Sequence, residues 1–155
     1  MPKKTKNPET KNMNTSVDEP PKVIQKSYVI PGNPVTKKNS QIPVMIPIKG
    51  TNKRRPVILP SKQFQAFEKS ALKSLKPETP EEVIDVPVNV CCKYFMKTRR
   101  KVDLNNLLEA TCDILVKAKF LKDDNNTIVS GHDNSRVYYD KDNPRTEIYI
   151  TNITE

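Results

Sequence analysis

The chain has 155 residues, with 27 Lys and Arg against 18 Asp and Glu, a formal net charge of +9. Three glycines, one histidine and three cysteines supply no Gly-rich nucleotide loop, no Cys/His zinc cluster, no Ser-His-Asp chemistry and no disulfide framework. No run approaches the ~18–20 apolar residues of a membrane span, and Met1-Pro2-Lys3-Lys4-Thr5-Lys6 leads into no apolar h-region, so a cytoplasmic protein with reduced thiols is expected.

Residues 1–26 carry six Lys, three acids and four Pro without hydrophobic periodicity, and are expected to form a disordered basic tail. Lys3, Lys4 and Lys6 either add phosphate affinity or are simply solvated. The folded domain, 27–155, opens with a β-prone run, Ser27-Tyr28-Val29-Ile30, closed by Pro31-Gly32. Ile42–Ile48 and Pro56–Leu59 read as a hairpin around the basic turn Lys49-Gly50-Thr51-Asn52-Lys53-Arg54-Arg55. Prolines 43, 47 and 56 mark these strands as edges or interrupted.

Ser61 is a good N-cap, and Phe64, Phe67, Ala71, Leu72 and Leu75 recur at helical spacing, so a helix is expected over 61–76. Alternation from Val86 to Met96 predicts a long strand over 83–96. The basic cluster Lys97-Thr98-Arg99-Arg100-Lys101 then leads into a helix over 103–117. There Leu104, Leu107, Leu108, Thr111, Ile114 and Leu115 share one face, and Asn106, Glu109 and Asp113 the other. Thr127–Ser130 and Arg136–Tyr139, around a polar stretch containing His132, are expected as one interrupted strand or as two, and Glu147–Thr151 as the last strand. Counting the interrupted strand once, the order β-β-β-α-β-α-β-β places the chain in the α/β (α+β) class, with a small mixed sheet and two main helices packed on it.

The acids carry the chemical interest. Asp103 stands at a helix start, Glu109 and Asp113 on its polar face, and Asp123-Asp124 just beyond its end. Carboxylate oxygens suit Mg²⁺ or Mn²⁺, which polarise phosphoryl groups and activate water in phosphodiester cleavage. Lys97, Arg99, Arg100, Lys101 and Lys122 flank these acids, as a polyanionic substrate requires. Plainer roles compete: Asp103 as an N-cap alone, Glu109 and Asp113 as a solvated face, Asp123–Asn126 as a polar turn. His132 reads as a loop residue, and Cys91, Cys92 and Cys112 as buried small hydrophobes. Tyr94, Phe95 and Tyr138 read as core residues, with base stacking as the alternative.

Several segments together resemble the RusA-type crossover-junction endodeoxyribonucleases: Pro31-Gly32-Asn33-Pro34, Lys37-Lys38-Asn39-Ser40, Pro60-Ser61-Lys62, Asp103-Leu104-Asn105-Asn106-Leu107-Leu108-Glu109-Ala110 with Asp113, Asp123-Asp124, and Pro144-Arg145-Thr146-Glu147-Ile148. The resemblance spans roughly residues 27–151. It implies a homodimeric, Mg²⁺-dependent enzyme, common in phages and prophages, that binds four-way (Holliday) junctions and nicks two opposed strands symmetrically. Carried over, the family's metal triad falls on Asp103, Asn105 and Asp124. Asn105 stands where the family has an aspartate, and Glu109 where it has a catalytic lysine.

An active variant would then use a rearranged set. Asp103, Asp113 and Asp124 would hold the ion, with Glu109 or Asp123 assisting, and Lys101 or Lys122 would replace the missing cation. Lys37, Lys38, Arg54, Arg55, Lys62, Arg99, Arg100 and Lys122 are the expected phosphate contacts. A junction-binding protein without catalysis is the alternative that Asn105 and Glu109 suggest. Net charge alone is also compatible with an RNA- or ribosome-associated protein.

Overall fold

The computed structural model describes residues 23–38 and 41–153. Most of the expected tail, residues 1–22, lies outside them. The folded region begins earlier than Ser27. Strand β1 spans Gln25–Pro31, with Gln25 and Lys26 paired to Thr151 and Ile150, and the Asn152 side chain accepts from the Ile24 amide.

The remaining elements are β2 (Ile42–Pro47), β3 (Arg54–Leu59), α1 (Lys62–Leu75), β4 (Val88–Met96), α2 (Leu104–Lys117), β5 (Val129–Gly131), β6 (Arg136–Tyr139) and β7 (Arg145–Asn152). The main sheet is mixed, as expected. It runs β1-β7-β4-β5, with β6 also beside β4; β1 and β4 pair antiparallel to β7, while β5 and β6 run parallel to β4. The chain from β4 through α2 to β5 is therefore a parallel crossover with α2 as the connecting helix.

Strand β4 is shorter than the alternation predicts. Val83–Pro87 forms an irregular segment held by an isolated bridge from Ile84 to Leu121. Pro87 brings no N–H to a ladder, which is the local reason regular pairing starts only at Val88. Along β4 the even residues Val88, Val90, Cys92, Tyr94 and Met96 enter the core with Ile148 and Ile150 of β7 and Tyr28 and Ile30 of β1. The cover is α2, whose Leu107, Leu108, Ala110, Thr111, Cys112, Ile114 and Leu115 are buried. Burying one leucine-sized side chain contributes roughly 1.5–3 kcal/mol, so this stripe, rather than helix propensity, fixes α2 on the sheet.

Both helix starts are capped by the residues the sequence indicates. Ser61 Oγ accepts from the Phe64 amide at 3.0 Å, and Asp103 Oδ1 from the Asn105 amide at 2.9 Å. The end of α2 is a Schellman turn. Lys119 N–H donates to Val116 O and Phe120 N–H to Leu115 O, with Lys119 at φ 66°. Phe120 then drops into the core edge-on to Tyr28, ring centroids 4.6 Å apart.

Tyr94 is a core residue, but Phe95 and Tyr138 are not. They stack on each other at 5.0 Å on the opposite face of the sheet, where the Arg145 guanidinium covers Phe95 at 3.8 Å. The three cysteines are free and buried, and His132 is tied by Nδ1 to Val90 O at 2.8 Å. Among the described residues no helix is long and apolar enough to cross a membrane.

Candidate active site on helix α2

The face of α2 turned away from the core carries Asn106, Glu109 and Asp113, as its periodicity requires. The segment after β1 is laid against this face. Asn33 Oδ1 accepts from the Lys97 amide at 2.8 Å, and Pro34 and Thr36 are buried, which anchors the two lysines that follow. Lys37 Nζ reaches Asp113 Oδ2 at 3.1 Å, and Lys38 Nζ reaches Glu109 Oε2 at 2.7 Å. Glu109 and Asp113 are one turn apart, and neighbouring lysines bridge them to a second segment of the chain. The Lys38 ammonium is held above the ordinary lysine range, by its hydrogen bond to Glu109, by the charge of Glu109 and by that of Asp103.

The cation beside these acids thus comes from Lys37 and Lys38. Lys122, one of the two expected substitutes, pairs instead with Asp85 at 2.6 Å. Lys101 is exposed in the segment leading into α2. Of the other basic residues, Arg99 lies over the Tyr139 ring at 4.0 Å, while Arg54, Arg55, Lys62 and Arg100 are exposed.

A second group of acids gathers at the far end of α2. Asp123 Oδ1 accepts from the Asp124 amide at 2.7 Å and its Oδ2 from Asn125 Nδ2 at 2.9 Å, while Asn125 Oδ1 accepts from Thr127. The expected polar turn is therefore real, and it fixes Asp124 in place. The Asp124 carboxyl is pushed above the usual aspartate range, first by partial burial, then by its hydrogen bond with Asp123 and by the Asp113 charge. The same two charges, of Asp124 and Asp113, add to burial in pushing the Cys112 thiol up to about 12. Asp113 and Asp124 therefore act on common ground.

This division corrects one expectation. Asp103 and Asp113 are ten residues apart on one helix, about 15 Å along its axis at ~1.5 Å per residue. Oxygen ligands sit about 2.0–2.1 Å from Mg²⁺, so a single ion cannot be bound by Asp103 and Asp113 of the same chain. Asp103 and Asn105 belong to the N-terminal end of α2, while Asp113, Asp123 and Asp124 belong to its C-terminal end. Among the described residues no three Asp, Glu, His or Cys side chains converge into a ready metal cage. The donor set at the C-terminal end nevertheless suits a hard cation. It is all oxygen, and the neighbouring Asp123 and Asp113 carboxylates add to burial in raising Asp124.

The structure thus sets Glu109 and Asp113 on the face of α2 turned away from the core, bridges both with lysines of a distant segment and follows the helix with an aspartate pair. The mixed sheet holds that helix rigidly by its apolar face, leaving the acid face to the lysine segment. The chain belongs to the RusA endodeoxyribonuclease family, which matches residues 31–151 and whose activity is Holliday-junction resolution. A search of the curated proteins gave no match.

The lysine bridge was the part of the site that sequence reasoning missed. Lys37 and Lys38 stand more than 70 positions before the acids they meet, and only the sheet order brings them together. The available signal was the two lysines after Pro34, which the family resemblance had already drawn to attention for a different role.

Proposed function

We propose that the protein is a metal-dependent endonuclease that binds four-way DNA junctions and resolves them by paired symmetric nicks, acting as a homodimer. The observation that carries this reading is the α2 acid row bridged by Lys37 and Lys38, on a chain of this family. Asp113 and Asp124 would supply carboxylate oxygens to Mg²⁺ or Mn²⁺, with substrate phosphate completing the coordination; when bound the ion supplies Lewis-acid polarisation of the phosphoryl group and an activated water. The chain's own contributions are positional. Lys37 and Lys38 trade their carboxylate partners for phosphate oxygens, and Lys38 returns a cation to the neighbourhood where Glu109 replaces the family's lysine. Arg54, Arg55, Lys62, Arg99 and Arg100 contact flanking phosphates. A homodimer suits a junction because both have two-fold symmetry.

The second reading is a junction-binding protein without catalysis. It is favoured by Asn105, by Glu109 neutralised by Lys38, and by the lack of a ready cage among the described residues.

Cleavage of a synthetic four-way junction in Mg²⁺ and in Mn²⁺ separates the two. The comparison is wild type against Asp124→Asn, Asp113→Asn and Asp103→Asn, the last of which keeps an N-cap and so tests charge alone. The enzymatic reading expects symmetric nicks from wild type and their loss in Asp124→Asn and Asp113→Asn. Tight binding with no nicks in either metal refutes catalysis, and undiminished cutting by Asp124→Asn and Asp113→Asn refutes the site.

A further inference from the structure

The β2–β3 hairpin is a two-stranded sheet separate from the main one. Such a hairpin is marginal alone in water, and this one does not bury its apolar side chains. Its register sets Pro43 opposite Ile58, Met45 opposite Pro56 and Pro47 opposite Arg54, so these six residues share one face. On that face Met45 is 52% exposed and Ile58 65%. The Ile48 amide donates to Lys53 O, so the three prolines fall in the non-hydrogen-bonded pairs and remove three outward-facing edge donors, which makes edge-to-edge strand addition a poor use of the hairpin and leaves its face as the working surface.

Charge identifies what meets that face. Residues 20–67 hold nine Lys and Arg and no acid, so the whole formal net charge of +9 lies in this stretch, and the 18 bases elsewhere balance the 18 acids. Lys49, Lys53, Arg54 and Arg55 crowd the hairpin's turn end, with no carboxylate on either strand. A second copy of the hairpin would bring like charges together. A polyphosphate neutralises them, and a two-stranded ribbon is narrow enough to enter a DNA groove.

We propose that the β2–β3 hairpin is a DNA-engaging arm. Lys49, Lys53, Arg54 and Arg55 hold backbone phosphates, while Met45 and Ile58 press against bases laid open where stacking is interrupted at a branch point. Apolar side chains inserted at base steps do this in other DNA-bending proteins. The inference rests on the junction-binding reading above and assigns branch recognition to a surface distinct from the α2 acids.

The test is binding in EDTA, so that no strand is cut, to a four-way junction carrying a fluorescent aminopurine at the branch and to a linear duplex. Wild type is expected to prefer the junction and to raise aminopurine fluorescence. Met45→Ser/Ile58→Ser should lose about tenfold or more of that preference and the fluorescence rise, whereas the apolar pair Met45→Leu/Ile58→Val should keep both. Arg54→Ala/Arg55→Ala should weaken both substrates alike and lower the salt slope by about two.

If wild type prefers the junction and Met45→Ser/Ile58→Ser does so equally, with the same fluorescence, the arm proposal alone is overturned. Loss of dimer in Met45→Ser/Ile58→Ser by sedimentation, with branch fluorescence retained, also overturns it and makes the hairpin a subunit contact. If wild type shows no junction preference, both readings fall.

Discussion

Glu109→Gln isolates the lysine bridge. In the structure Glu109 holds Lys38 at 2.7 Å, with both side chains about half exposed. Exposed pairs of this kind contribute little to folding, because solvent screens them and ordering two long side chains opposes them. The substitution should therefore leave Tm within a few degrees of wild type. Binding should move further. Lys38 is freed from a partner that competes with phosphate, so junction affinity in EDTA should rise by up to about fivefold at low salt, the ceiling set by the strength of an exposed pair. The salt slope should steepen by about one, the signature of one more phosphate contact.

Lys38→Ala should do the reverse, and Glu109→Gln placed on Lys38→Ala should gain nothing, since no ammonium remains to release. Fluorescence anisotropy across a salt series reads all four proteins. Weaker binding by Glu109→Gln, or the same gain with and without Lys38, would refute the idea that this pair restrains a phosphate-binding lysine.

Three further outcomes follow from packing and charge. Thr111 Oγ donates to Leu107 O at 2.9 Å and so accepts the buried Tyr94 hydroxyl at 2.7 Å. Thr111→Val leaves that phenol only the Cys92 sulfur, a weak partner, and should cost about 1–3 kcal/mol in denaturant unfolding, more than Tyr94→Phe. Lys119 occupies the left-handed position of the α2 Schellman turn at φ 66°, so Lys119→Gly should stabilise by up to about 1 kcal/mol, read by the same unfolding curves.

The Arg145 guanidinium joins Asp140 and Glu147. Asp140 is held below the usual carboxylate range, chiefly by the Asn143 amide with help from Arg145. For Glu147, burial works upward but is outweighed by Tyr149, Arg145 and Lys93, which together hold it low. A depressed folded-state pKa stabilises above the ordinary carboxylate range and ceases to do so as pH falls through the folded value. The Tm gap between wild type and Arg145→Met should therefore be widest near neutrality and close in acid; a gap constant with pH would refute this account.

Local chemistry determined a great deal here. Ser61 and Asp103 cap their helices because a side-chain oxygen beside free amides needs no tertiary help. The apolar stripe from Leu104 to Leu115 sets which face of α2 is buried, and with it which face carries Glu109 and Asp113. Alternation along β4 likewise separates Tyr94 from Phe95, although apolar character alone places both in the core. Phe95 lies on the face the helices leave open, which a single strand's pattern does not distinguish from a second buried layer.

Only the tertiary structure decided which charges meet. Lys37 and Lys38 find Asp113 and Glu109 across more than 70 residues because β1 lies at the sheet edge and the segment after it is carried over α2. Lys122 is claimed by Asp85 for the same kind of reason. The basic excess noted at the outset is therefore not a coat around the acids. Two of its lysines bridge them, and four more of its bases sit on a hairpin separate from the main sheet. Side-chain periodicity is a property of a few neighbouring residues, whereas ion pairing is decided by chain topology.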